Sequence, residues 1–160
     1  MEREIHPYDP NVWDGPWVGA ATFCDRLLLE EEGFYSIIRM VDSVTADPAQ
    51  PSAAGVPAPM QLDLILFIML RSGVKPSHSQ LRVRRNAPNG TAGMTPSQMV
   101  DLPGDGMSVP IQISFHLDFD MPGRYWFDIM LDDLIMSRVP LLVKINQPTN
   151  AEVQSEGNAP

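Results

Sequence analysis

A chain of 160 residues, 44% hydrophobic and 19% charged, is long enough to bury its own core without disulfide or metal staples, and 16 prolines with 11 glycines suit short strands joined by turns better than a helical bundle. Its net charge of -9 works against nucleic acid and anionic membrane surfaces, which both recruit basic patches. The single Cys24 excludes an internal disulfide and fits a reducing, cytoplasmic setting, and the longest strongly apolar run, Leu62 to Leu70, is about half the roughly 20 residues a membrane helix needs.

Residues 1–16 are polar and proline-interrupted, without the apolar run of a secretory signal, and read as an N-terminal arm. Trp13 and Trp17 in that region are expected to lie against the domain or a neighbouring copy, because exposed indole is costly surface. Val18 to Asp25 predicts a first strand, and Arg26 to Gly33, with good helix formers and a closing glycine, predicts a single helical turn or a wide connection. The run Glu30-Glu31-Glu32 points in successive directions and reads as a solvated loop rather than a metal or acid/base cluster. Phe34 to Ala46, rich in β-branched and aromatic residues, predicts the second strand, and the proline-rich stretch from Asp47 to Pro59 a loop.

Met60 to Arg71 is apolar on both alternating faces after Asp63, the pattern of a strand central in a sheet and covered on both sides. Ser79 to Arg85 alternates, with Leu81 and Val83 inward and Arg82 and Arg84 outward. No acidic residue falls between Asp63 and Asp101, where Arg71, Lys75, Arg82, Arg84 and Arg85 all lie; this reads as a solvated strand face with its loop, or as a contact surface for an acidic partner. Asn86 to Gly106 is dense in turn signals and predicts a long loop. From Ser108 to Phe119, Ile111, Ile113, Phe115, Leu117 and Phe119 face in.

The clearest local signal is Pro122 to Ile145, a β-hairpin turning at Asp132-Asp133. In its first arm Tyr125, Phe127, Ile129 and Leu131 face the core, and the other face carries Arg124, Trp126, Asp128 and Met130. Residues 147–160 are polar and read as a disordered tail, which leaves 17–146 as the domain. Seven strands, at about 18–25, 34–45, 60–71, 79–85, 109–119, 124–131 and 134–145, predict an all-β, two-sheet antiparallel β-sandwich of immunoglobulin-like or C2-like type.

Chemistry is sparse. His6, His78 and His116 come without zinc-ligand spacing, Cys24 without an adjacent histidine, and no phosphate-cradling or nucleophile-elbow motif occurs. No metal, cofactor or catalytic group is expected. Asp120 and Asp132-Asp133 lie at opposite ends of one strand, about 27 Å apart, too far to share a calcium ion. The segment Phe23-Cys24-Asp25, the strand from Phe34 to Val44, and PGRYWFDIMLDD with the VPLLV that follows resemble a family of uncharacterised short bacterial proteins, a domain of unknown function, over roughly residues 18 to 145. That resemblance implies an all-β domain and brings no catalytic residues.

The expected function is therefore non-enzymatic protein-protein association, as an assembly subunit or adaptor, with a protein partner or self-association, and with no nucleic acid and no membrane insertion. Its candidate surface is Trp126, Met130, Met136 and Arg138 on the hairpin, with Arg82 and Arg84 and the arm residues Trp13 and Trp17. The alternative is a small-molecule or carbohydrate-binding module built on residues 86–106.

Overall fold

The period-2 alternation is realised as two facing sheets. The computed structural model describes residues 15–46 and 60–146, and every regular element among them is a strand. In chain order these are β1 (Trp17–Leu29), β2 (Tyr35–Val41), β3 (Ser43–Ala46), β4 (Met60–Arg71), β5 (Ser77–Asn86), β6 (Ala92–Met94), β7 (Gln98–Leu102), β8 (Ser108–Phe119), β9 (Gly123–Leu131) and β10 (Leu134–Ile145). One sheet runs β2-β1-β4-β8, and the other runs β3-β10-β9-β5-β6 with β7 also paired to β5. All pairings are antiparallel except β3 with β10. The two-sheet, antiparallel-dominated sandwich is thus the architecture that the alternation predicts, with ten strands where about seven are expected. Trp13, the proline-rich stretch and the C-terminal tail lie outside the described residues.

The core forms where the inward rows meet. Phe23, Leu64, Leu66, Ile68 and Leu70 of one sheet face Leu81, Val83, Phe127, Ile129, Leu141 and Val143 of the other, all buried. Phe23 and Phe127 meet edge to face across the interface, with ring centroids 4.7 Å apart, and Phe115 completes the cluster at 5.8 Å from Phe127. Tyr125 is also buried, and its hydroxyl donates to the Met121 carbonyl at 3.0 Å, pinning the turn from β8 into β9 in the manner of a tyrosine corner. β4 is central as expected, and its outward Phe67 is buried with the Tyr35 ring 5.9 Å away.

Local propensity is overruled at three places. Arg26 to Leu29 continues β1 as a strand, because Leu27, Leu28 and Leu29 pair with Ile37, Ser36 and Tyr35 of β2. A tight turn follows, closed by the Glu30 N–H on the Phe34 carbonyl at 2.8 Å and by Gly33 at φ 81°. The strand expected from 34 to 45 breaks at Asp42, where the chain leaves the four-stranded sheet for the other. The Leu142 N–H donates to the Asp42 carbonyl at 2.9 Å there. The loop expected from 86 to 106 contains β6 and β7, which complete the edge beside β5 and bury Val100 and Leu102.

Asp132 and Asp133 both take positive φ, 47° and 67°, as the centre of a type I′ hairpin turn requires. A second tight point holds the β7–β8 connection. The buried Ser72 hydroxyl donates to the Gly104 carbonyl at 2.8 Å, and Gly104, at φ 90°, packs so closely that an added Cβ meets the Pro76 nitrogen at 2.9 Å. Gly104→Ala is expected to lower stability by about 2 kcal/mol, from the left-handed backbone and the backbone clash together, measured by urea denaturation. Gly90→Ala, with φ 85° but open space around it, carries only the conformational part and should cost less.

Candidate functional site

The outer face of the six-stranded sheet carries a connected grouping of polar and aromatic side chains. Along β9 the residues facing away from the core are Arg124, Trp126, Asp128 and Met130. The register sets Arg138 and Arg84 on either side of Asp128, Pro140 and Asn86 beside Trp126, and Ile135 and Arg82 beside Met130. Cross-strand neighbours share a face, so Met94 and Met99, opposite Arg84 and Gln80, belong to the same surface, and both are exposed.

Asp128 is the anchor. It is 0% exposed although it points away from the core. Arg84 donates from Nε and Nη2 to Oδ2 at 3.1 and 2.8 Å, and Asn86 donates to the same oxygen at 3.0 Å. Arg138 donates from Nε to Oδ1 at 2.5 Å. Burial pushes the Asp128 carboxyl up, but the hydrogen bonds from Arg138, Arg84 and Asn86 outweigh it and hold the group below the ordinary carboxylate range. Two guanidiniums on one carboxylate leave the face with surplus positive charge.

One of these arginines, Arg138, also covers the indole together with Arg124. Arg124 and Arg138 each place their guanidinium carbon 5.7 Å from the Trp126 ring, a geometry worth roughly 0.5 to 1 kcal/mol per contact at a partly solvated site. Arg82 reaches Asp133 of the turn at 3.1 Å. The structure therefore unites five of the expected residues, Trp126, Met130, Arg138, Arg82 and Arg84, on one surface.

Three of the expected residues need correction. Met136 does not share that face: a β-bulge between Ile135 and Ser137 turns it inward, where it packs against the core. Met130 does face outward but is only 7% exposed, lying between Arg82 and Ile135 in the register, so it supports the surface rather than presenting itself. Trp17 begins β1 in the other sheet, opposite Arg71, and Trp13 lies outside the described residues.

Arg124, Asn86 and Asp128 were not among the expected site residues. Alternation already placed Arg124 and Asp128 on this face; Asn86 was hidden because its strand was expected to end at 85. A second surface had no sequence signal that distinguished it from core: the β1–β2 hairpin exposes Leu28, Leu29, Phe34, Tyr35, Ile38 and Met40.

On the four-stranded sheet His116 of β8 stands opposite Asp63 of β4, with Nδ1 to Oδ1 at 2.5 Å. The hydrogen bond with Asp63, and then its charge, raise the His116 pKa above the ordinary 6.5. Protonated His116 therefore favours the folded state fully below about pH 6.5, and that contribution is lost as pH rises through the raised value. An NMR titration of the ring is expected to give a midpoint above 6.5 that falls back in Asp63→Asn. Between β8 and the Thr95–Gln98 connection lies a cleft of ≈ 290 Å³ lined also by Leu81, Ile113, Phe115 and His116.

Residues 19–144 match the model of a family of unknown function, DUF6941. The chain belongs to this family. No curated protein matches the DUF6941 chain by sequence. Among solved structures it is similar to the alkylpurine DNA glycosylase AlkC of Pseudomonas fluorescens bound to DNA containing an abasic site analog, with TM-score 0.52, 11% identity, and 81% of this chain covered against 30% of that one. It is also similar to the β-glucosidase EmGH1 of Erythrobacter marinus, with TM-score 0.47, 14% identity, and coverage of 80% and 15%. An immunoglobulin-like protein from Pseudomonas aeruginosa gives TM-score 0.41, 11% identity, and coverage of 82% and 98%. The DUF6941 chain thus spans less than a third of the glycosylase, and at such identities the likeness is one of fold. Among the described residues no helix is long and apolar enough to cross a membrane.

Proposed function

We propose that the protein works by protein-protein association, as an assembly subunit or adaptor rather than an enzyme, and that the outer face of the six-stranded sheet is its docking surface. One observation carries this reading: buried Asp128 fixes Arg84 and Arg138 in place, and Arg138 with Arg124 fixes Trp126. Arginine, tryptophan and methionine are enriched in interface cores, and side chains already held in position lose little entropy when a partner arrives. Exposed Met94, Met99 and Ile135 supply apolar area around the arginines. The partner that fits presents carboxylates interleaved with apolar side chains. A cytoplasmic setting agrees with the lone, buried Cys24.

The test is a photocrosslinking residue at position 126, introduced in the cell that encodes the protein, with position 105 as control. A discrete protein adduct from 126 alone, lost when Arg124→Glu is added, is expected. No adduct, or the same adducts from both positions, overturns the reading.

A second reading, a small-molecule or carbohydrate module beside residues 86–106, has the cleft of ≈ 290 Å³ in its favour, at the small end of ligand sites. Chemical-shift changes confined to Gln98, Ser114 and His116 on adding a sugar panel would support it over the first.

A further inference from the structure

Among the described residues β8 is the outermost strand of its sheet, and it is an unusual edge. It pairs with β4 over its whole length, Ser108 opposite Arg71 through Phe119 opposite Met60, with no register shift. The other edges are blunted. β2 is bent where Arg39 takes φ 52°, and β3, β6 and β7 have four, three and five residues. Folded proteins commonly protect a long straight edge with bulges, lysines or inward charges, because its free N–H and C=O groups are a template for another strand. β8 has none of these between Ile111 and Leu117.

The parity of its free groups follows from Pro110. Proline has no N–H to give β4, so it belongs at a position whose backbone points away from the neighbour, and the alternation of an antiparallel ladder extends this to Gln112, Ser114 and His116. Asp118 has the same parity, and its carbonyl accepts from Arg85 Nη1 at 3.1 Å rather than serving the β4 ladder.

We infer that this edge takes the β8 strand of a second copy, antiparallel about a two-fold axis at Ser114. The strand is complementary to itself in that register. On the outer face Ser114 meets its own counterpart, and Gln112 meets His116, so no two like charges stand opposite. On the inner face Ile113 meets Phe115 in both directions, and both are only partly buried within one chain. Those two side chains line the cleft beside Thr95–Gln98, so the incoming strand covers apolar surface that the single sandwich leaves open. Joining the edges makes one sheet of eight strands and removes both templates. The surface is separate from the Trp126 face, which stays available on each copy.

Three measurements test this together. Native mass spectrometry and light scattering at tens of micromolar are expected to give a dimer. Ser114→Cys should link into a covalent dimer under mild oxidation, because the backbones of a hydrogen-bonded antiparallel pair sit about 5.5 Å apart, within disulfide reach, while Cys24 is buried and stays out of the reaction. Ser114→Lys, which sets two ammonium groups face to face, should be monomeric with an unchanged circular dichroism spectrum. A wild-type monomer at that concentration overturns the inference, as does a dimer that persists in Ser114→Lys without a Ser114→Cys crosslink. Self-adducts formed through position 126 instead would also overturn it while leaving the proposed docking face intact; the reverse result separates the two in the other direction.

Discussion

Phe127→Ala is expected to lower the stability of the fold by about 3 to 5 kcal/mol, measured by urea denaturation. Phe127 is 0% exposed and meets Phe23 and Phe115 of the facing sheet edge to face, so truncation removes two ring contacts across the interface between the sheets. The cavity it leaves is walled by strands locked in two ladders and has little room to collapse. Phe127→Leu, which refills most of the volume, should recover much of the loss. The Trp126 surface lies on the other side of the same strand, so partner binding by the folded fraction should be unchanged.

Asp128→Ala is expected to cost about 3 kcal/mol, the low end for breaking a buried ion pair, because Arg84 and Arg138 both reach solvent and regain water when their partner is lost. Unlike the Phe127 substitution, it should also weaken partner binding, since Arg138, one of the two guanidiniums that hold Trp126, loses its anchor. The stability difference has a definite pH dependence. The Asp128 pKa is depressed in the folded state, so its contribution is complete above the ordinary carboxylate value near 4 and is lost as pH falls through the depressed value. Wild-type and Asp128→Ala stabilities should therefore converge in acid and stay apart at neutral pH, as measured by denaturation at a series of pH values.

The hairpin from Pro122 to Ile145 was legible because its signals are local: alternation along its first arm and a turn dipeptide that accepts positive φ. Its inward row is buried as read, and its outward row supplies Trp126 and Asp128. Failures occurred where pairing with another strand decided the outcome. Arg26 to Leu29 has helix-forming residues, yet β2 captures it as strand. Val100 and Leu102 stand among turn residues, yet the exposed edge of β5 orders them. Met136 was assigned outward by counting twos, and one bulged residue inverted the count. The burial of Asp128 was beyond periodicity altogether, since an aspartate on a mixed face looks solvated until register brings Arg84, Asn86 and Arg138 around it.

The parallel pairing of β3 with β10 has a bearing on time as well as on form. Ser43 to Ala46 lie against Leu142 to Ile145, partners roughly a hundred residues apart in the chain, whereas the β9–β10 hairpin joins neighbours. Closing the long loop costs more chain entropy than closing the hairpin, and four residues of ladder return little. The hairpin is therefore expected to form before the β3 strap latches. In hydrogen exchange the amides of Val44 and Thr45 should open well before those of Phe127 and Ile129, so the crossing between the sheets acts as a clasp that loosens while the sandwich itself stays shut.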